Sequence, residues 1–357
     1  MSDLLLSNDR SILSLLDLLG TELPIIQAPM AGAQDEILTV AVSKAGGLGS
    51  LPCAMLKAEQ LDQALATITA QTDKPYNVNF FCHTPAVPDD VIEKKWREQL
   101  KPYYQEWGID GDTIPAGPGR APFDQQMADV LHKYKPRVVS FHFGLPKDSL
   151  LQSVKQMGAK VLSSATTVEE AVWLEQNGVD AIIAQGIEAG GHRGMFLTED
   201  LGSQKGTLEL VADIVDSVSV PVIAAGGIIS PDDVRAALAA GASAVQVGTA
   251  YLLTPEATTS EIHRKALQSE QAQHTELTNL FSGRPARGIV NRLISELGPI
   301  NPLAPAFPLA TSAVAPLRVA AEKQGLGDFS PLWAGQNTAG LSCLSAADLT
   351  RKLGSSH

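Results

Sequence analysis

The chain has 357 residues, 44% of them hydrophobic and 18% charged, a balance that suits a buried core and excludes a disordered polymer. A formal net charge of −12 leaves no basic stripe for nucleic acid and disfavours anionic membrane surfaces. The cysteines Cys53, Cys82 and Cys343 are far apart and form no CxxC pair, so neither a disulfide framework nor a metal site is expected and a reducing cytoplasm is the natural compartment.

From the N-terminus, residues 1–20 are leucine-rich but lack a basic leader and are broken by Asn8, Asp9, Arg10 and Asp17. They read as an amphipathic helix lying on the main fold, not as a signal peptide, and no stretch is apolar enough to span a membrane. Short apolar runs then recur at Leu23–Pro29, Leu48–Leu51, Tyr76–Phe81, Val138–Phe143, Lys160–Ser164, Ala181–Ala184, Pro221–Ala225 and Ala244–Val247. Several are continuous, as parallel strands buried on both faces require. Helical stretches lie between them: Asp35–Lys44, Ala58–Ala70, Asp124–Tyr134, Lys147–Met157, Thr167–Gln176, Thr207–Asp216 and Pro231–Ala240. Ser230 before Pro231 predicts an N-cap with proline at the first helical position. Gly158, Gly178 and Gly241 predict left-handed helix ends. The aspartate pairs 89–90 and 232–233 read as helix N-termini and not as an acid–base dyad. Eight such repeats predict an α/β fold, a (β/α)8 TIM barrel.

Two stretches break the rhythm. One is 83–123, rich in proline, tryptophan and tyrosine; the other is 255–332, which ends in a proline-rich run. Insertions after barrel strands sit over the C-terminal mouth, where active sites form. The expected organisation is a barrel over 1–254 carrying the 83–123 insertion after the third strand, a smaller substrate or lid domain over 255–335, and a C-terminal helix over 336–357 returning to the barrel.

The loops that close the seventh and eighth strands, Ala224-Ala-Gly-Gly-Ile228 and Gln246-Val-Gly-Thr249, are glycine-rich where this fold usually binds phosphate. FMN, a nucleotide and a sugar phosphate all fit that signal. After the sixth strand, Gln185–Gly194 frames one histidine, His192, with Gly190, Gly191 and Gly194, which lets the imidazole lie against a flat ligand. The adjacent Arg193 either orients an anion or is solvated. Near the first strand, Gln27–Gly32 sets a proline and small residues at the mouth. Asn79 is a neutral polar group at a strand end, suited to a ring edge. His142 and His83 lie at strand ends, where a pocket role and a buried structural role are both open.

These segments resemble the class I nitronate monooxygenases, historically the 2-nitropropane dioxygenases, over nearly the whole chain. The resemblance is carried by 24–32 (PIIQAPMAG), 45–50 (AGGLGS), 77–80, 185–194, 224–228, 246–249, 281–288 (FSGRPARG) and 331–336 (PLWAGQ). It implies FMN contacts at Asn79, Gln185, Gly190, Gly227, Gln246, Val247, Gly248 and Thr249, with Met30 beside the flavin. It also implies His192 as the catalytic histidine and His142 as a substrate-pocket position. Family members place tyrosines over the flavin, whereas here Tyr251 is the only tyrosine after Tyr134, and Phe307 and Leu309 occupy the late proline-rich stretch. The expected reaction is oxidation of an alkyl nitronate such as propionate 3-nitronate by FMN and O2, in a chain with small-molecule partners and room for a homodimer. Two other readings stay open. One is an NAD(P)H-dependent flavin reductase of quinones or enoyl thioesters on the same barrel; the other is a flavin-free barrel lyase or isomerase, which would want a Schiff-base lysine or paired carboxylates at strand ends.

Overall fold

The computed structural model describes residues 2–114 and 120–355, so 115–119 of the first insertion and the last two residues of the C-terminal segment lie outside the described residues. All eight expected strands form. They are β1 (Ile25–Gln27), β2 (Gly49–Pro52), β3 (Tyr76–Phe81), β4 (Val138–His142), β5 (Lys160–Ala165) and β6 (Ala181–Gln185), followed, after a two-residue strand β7 (Gly191–His192), by β8 (Val222–Ala225) and β9 (Ala244–Val247). The parallel hydrogen-bonded order is β1-β9-β8-β6-β5-β4-β3-β2. The ring closes where Leu48 N donates to Ile25 O and Gln27 N donates to Leu48 O, both at 2.9 Å. This is the TIM barrel that the strand–helix rhythm predicts.

The apolar runs are continuous because each strand buries both faces. In β8, Ile223 and Ala225 point into the barrel with Ile26, Leu48, Val138, Leu162 and Ile183. Val222 and Ala224 point outward under the surrounding helices. Leu15 and Leu19, from the N-terminal helix Ser2–Leu19, join the inner cluster and plug the barrel floor. Helix ends follow local chemistry. Ser230 and Asp233 form a reciprocal capping box ahead of Pro231, and Asp35, Asp124 and Thr167 each accept a backbone N–H at the start of their helices. Gly158, Gly178 and Gly241 all have positive φ, as their positions after helices require.

A second core sits above the mouth. The 83–123 stretch contains a 17-residue helix, Asp90–Glu106, despite Pro102 inside it. Its stripe of Trp96, Leu100, Tyr103 and Tyr104 packs on Leu317, Ala321 and Phe329, from the Ala310–Lys323 helix and the chain just after it. Tyr104 Oη donates to Ala313 O at 2.7 Å. The stripe recurs at the spacing that loads one helix face, and its burial outweighs the one ladder bond that proline removes. A small antiparallel sheet, β10 (Thr275–Thr278), β11 (Ala286–Ile289) and β7, ties this region to the barrel, with Ala286 opposite His192. The terminal helix Ala346–Gly354 packs Ala346, Leu349 and Leu353 into the barrel core, and Thr350 Oγ1 meets Tyr251 Oη at 2.8 Å. Among the described residues no helix is long and apolar enough to cross a membrane.

Candidate active site

A cavity of about 290 Å³ opens at the C-terminal ends of the barrel strands, roofed by residues 330–337. The roof is sewn down from several sides. Gly335 N donates to Thr249 Oγ1 at 2.9 Å, Gln336 N to Glu188 O at 2.9 Å, and Asn337 Nδ2 to Gly227 O at 2.9 Å.

His192 lies in this cavity because its neighbours on the chain are clamped. Gln185, at the end of β6, uses both ends of its amide: Nε2 donates to His192 O at 3.0 Å, and Oε1 accepts Gly194 N at 2.8 Å. Arg193 is neither solvated nor free to orient an anion, in contrast to both readings from sequence. It is fully buried and donates to Gln185 O at 2.7 Å, Gly186 O at 2.6 Å and Gln204 Oε1 at 2.8 Å, so it pins the loop from below. His192 Nε2 meets Ser282 Oγ at 2.9 Å. Phe307 at 5.3 Å, Trp333 at 5.6 Å, and Phe81 and Phe143 at 6.2 Å wall the ring between centroids. Burial pushes its pKa well below the ordinary value, and the charges of Arg120, His142 and Arg284 push the same way. At neutral pH the imidazole is therefore uncharged.

His142 packs beneath this loop. Its Nε2 lies 3.2 Å from His192 O and its Nδ1 lies 2.6 Å from Ser164 Oγ. A carbonyl only accepts, so Nε2 carries the proton and Nδ1 takes the serine hydroxyl. Burial, opposed by that hydrogen bond to His192, holds its pKa down at about 3. Gly194 makes the arrangement possible, since a Cβ there would stand 2.9 Å from His142 Cε1. Gly190 answers a different need. A Cβ on it would meet the roof backbone at Ala334 and Gly335, 2.6 Å away. These two glycines therefore allow close packing within the loop and beneath the roof.

Met30, Asn79, Gln185, Gly190, Gly227, Gln246, Gly248 and Thr249 all line the cavity, as do His142 and His192. Val247 does not. It is buried in the barrel's outer core because side chains alternate along β9, and its carbonyl is taken by Ala28 N at 2.8 Å. The polar groups that remain suit a flat, phosphate-bearing ligand. Gln246 Oε1 is buried without a hydrogen-bond partner, and Asn79 Nδ2 is spent on Ser140 Oγ at 2.9 Å. Gly226 and Gly227 turn through φ of +126° and +72°, a backbone that residues with a Cβ rarely adopt. Among the described residues no cluster of His, Cys, Asp or Glu is placed to hold a metal ion.

Sequence reasoning missed Arg120, Ser164 and Phe307 as site residues. Ser282 and Arg284 sit in the FSGRPARG segment, and Trp333 in PLWAGQ, but no roles followed from that. Arg284 lies 4.1 Å from the Phe143 ring centroid and donates to Met195 O. Phe143 itself holds φ at +68°, a strained conformation for a residue with a Cβ, which turns its ring back onto His142 and His192.

The nitronate monooxygenase family model matches residues 13–355. The chain belongs to the nitronate monooxygenase family. It is 43% identical over 338 residues to the nitronate monooxygenase of Pseudomonas aeruginosa, covering 94% of this chain and 96% of that one. It is 42% identical to the nitronate monooxygenase of Paraburkholderia phytofirmans over 95% of this chain and 93% of that one. Among solved structures, nitroalkane oxidase from Streptomyces ansochromogenes superposes with a TM-score of 0.87 at 38% identity, covering 96% of this chain and 97% of that one. FabK from Thermotoga maritima shares the architecture at a TM-score of 0.69 and 27% identity, over 95% and 94% of the two chains. As a nitronate monooxygenase family member, the chain is an oxidoreductase whose roof and His192 loop come from segments far apart in sequence.

Proposed function

We propose that this chain binds FMN in the roofed cavity and oxidises alkyl nitronates, of the propionate 3-nitronate type, with O2 to a carbonyl compound and nitrite or nitrate. The observation that carries the reading is the place of His192 in a cationic pocket walled by aromatic rings, with no carboxylate beside it among the described residues. Among the described residues Glu322 is the one acidic residue on the cavity lining, and it is held by Arg318 Nε and Ser330 Oγ, each at 2.7 Å. Such a site has no strong base with which to create a carbanion. It suits a substrate that arrives already anionic, which a nitronate is.

Gly227, Gly248 and Thr249 would take the FMN phosphate, and Asn79 and Gln246 the polar edge of its ring, with Met30 alongside. The acceptor oxygen of Gln246, buried and unpartnered, is matched by a ring N–H. Bound FMN supplies the electron-accepting and O2 chemistry. The chain supplies the rest. His192 orients the nitronate through its imidazole, Arg284 offsets its negative charge, and Phe81, Phe143, Phe307 and Trp333 keep water away.

The test is anaerobic mixing of the purified holoprotein with propionate 3-nitronate, and separately with NADH and NADPH, while the visible flavin absorption is followed. Rapid bleaching by the nitronate alone supports the reading. Bleaching by the nicotinamides alone overturns it in favour of a reductase on this barrel. A colourless protein that takes up no FMN overturns the cofactor as well.

A further inference from the structure

We propose that Arg120 is a specificity-determining residue of the cavity, pairing with an anionic group on the substrate remote from its nitronate carbon, so that carboxylate-tailed nitronates react in preference to neutral-tailed ones. The inference rests on the nitronate reading above, and it starts from an arginine whose guanidinium is incompletely satisfied. Around the mouth the other arginines are engaged. Arg193 and Arg287 spend their N–H groups on backbone carbonyls, Arg284 donates to Met195 O, and Arg318 pairs with Glu322. Arg120 lines the cavity, yet its Nη1 is buried with no hydrogen-bond partner, and no carboxylate among the described residues forms an ion pair with it. A guanidinium drawn out of water without a counter-ion is costly, and a carboxylate satisfies its planar fork through two parallel hydrogen bonds.

Position supports the same assignment. The Phe307 ring is a shared wall, its centroid 5.6 Å from Arg120 Cζ and 5.3 Å from the His192 ring. His83 Nε2 donates to Arg120 O at 2.9 Å, and the His83 ring stands edge-on to Phe307 at 4.8 Å, so the arginine's backbone is anchored against that wall. A nitronate held beside His192 can thus run its tail along Phe307 toward Arg120. Two cations, Arg120 and Arg284, lie close enough to His192 to depress its protonation, and a dianion would balance both.

The experiment compares kcat/KM for propionate 3-nitronate and for propyl-1-nitronate, equal in carbon number but neutral-tailed, in the wild-type holoenzyme, Arg120→Met and Arg120→Lys. Losing one partner of a buried charge pair should lower kcat/KM for the carboxylated substrate about a hundredfold, mostly through KM, and leave the propyl substrate within about threefold. Arg120→Lys should recover part of the loss. Equal losses on both substrates, or none on either, would overturn the assignment. Calorimetric binding of succinate to the holoenzyme separates this from failure of the nitronate reading. If the wild type oxidises neither nitronate, the reading fails, while succinate binding that vanishes in Arg120→Met still supports Arg120 as the anion-reading residue. Succinate binding equally to both proteins, or to neither, overturns that too.

Discussion

On the β8–β9 side of the cavity the lining is glycine, amide and hydroxyl, whereas on the β3–β4 side it is imidazole, phenyl and guanidinium. The first side works through backbone shape: Gly226, Gly227 and Gly248 follow directly on barrel strands that fix their positions. The second side works through side chains gathered from five separate segments, at Phe81–His83, Arg120, His142–Phe143, Ser282–Arg284 and Phe307. In the proposed reading a cofactor common to many barrels would be held by the first side and the substrate chosen by the second, whose charge and apolar walls depend on the upper core holding those segments together.

The largest break in this comparison should come from His192→Asn. The variant keeps a polar side chain but loses the imidazole on which the aromatic side converges. Losing a group that positions the substrate costs on the order of a hundredfold in turnover. Bound flavin should be retained, because the opposite side is untouched. Steady-state oxidation together with the flavin-to-protein absorbance ratio checks both halves, and full activity in the variant would sink the role of His192.

Gly190→Ala should do the reverse. Its Cβ would stand 2.6 Å from the roof backbone at Ala334 and Gly335, neither of which is a flexible side-chain tip. Overpacking of this kind costs about 1–3 kcal/mol. The roof must lift, taking the Gly335–Thr249 and Asn337–Gly227 bonds with it. Flavin affinity and thermal stability should fall together, while the protein still loaded with flavin keeps its preference among substrates. A variant that holds flavin as tightly as wild type would show that the roof is not pinned at this point.

The two sides were unequally legible in the sequence. The barrel was readable because burial on both faces forces long apolar runs, and those runs survive any choice of neighbours. The lining glycines after β8 and β9 were readable because they sit within a few residues of a strand end, and the place of His192 in the cavity because its glycine frame is local. Arg120 was not readable. It sits beyond a helix that proline at 102 and a Trp/Tyr-rich composition disguised, and what gives it meaning is Phe307, 187 positions away in the chain. Val247 shows another limit of reading a motif whole: within Gln246–Thr249, strand alternation turns its side chain into the outer core and away from the cavity. Arg193 shows that a charged residue beside a catalytic candidate can be a structural clamp, which only its carbonyl partners reveal.

Acid should expose a gentler difference. His142, with a pKa near 3, His263, with one near 4, and His192, held well below normal, stay uncharged in the fold chiefly because of burial. In the unfolded chain each returns to an ordinary value near 6.5. Below that pH the unfolded chain binds protons that the folded one refuses. Stability should therefore be lost as pH falls from 6.5 toward the folded values, and be flat with respect to these groups above it. Denaturant midpoints measured between pH 7.5 and 5 check this, and His142→Gln should flatten part of the slope. An unchanged slope would mean that His142 titrates normally in the fold.

The smallest effect belongs to Ser282. Its hydroxyl lies 2.9 Å from His192 Nε2 and 3.4 Å from Arg284 O, so it links the histidine to the segment that carries Arg284. His192 is already held through its backbone by Gln185 and by the pairing of β7 with β11, so Ser282 sets the rotation of the ring and not its place. One neutral hydrogen bond is worth about 1 kcal/mol, which is about fivefold in rate. Ser282→Ala should therefore lower kcat about fivefold with KM and flavin content unchanged. A thousandfold loss would instead make the serine hydroxyl part of the proton inventory of the reaction, and the aromatic side would then hold two reacting groups where the present geometry needs one.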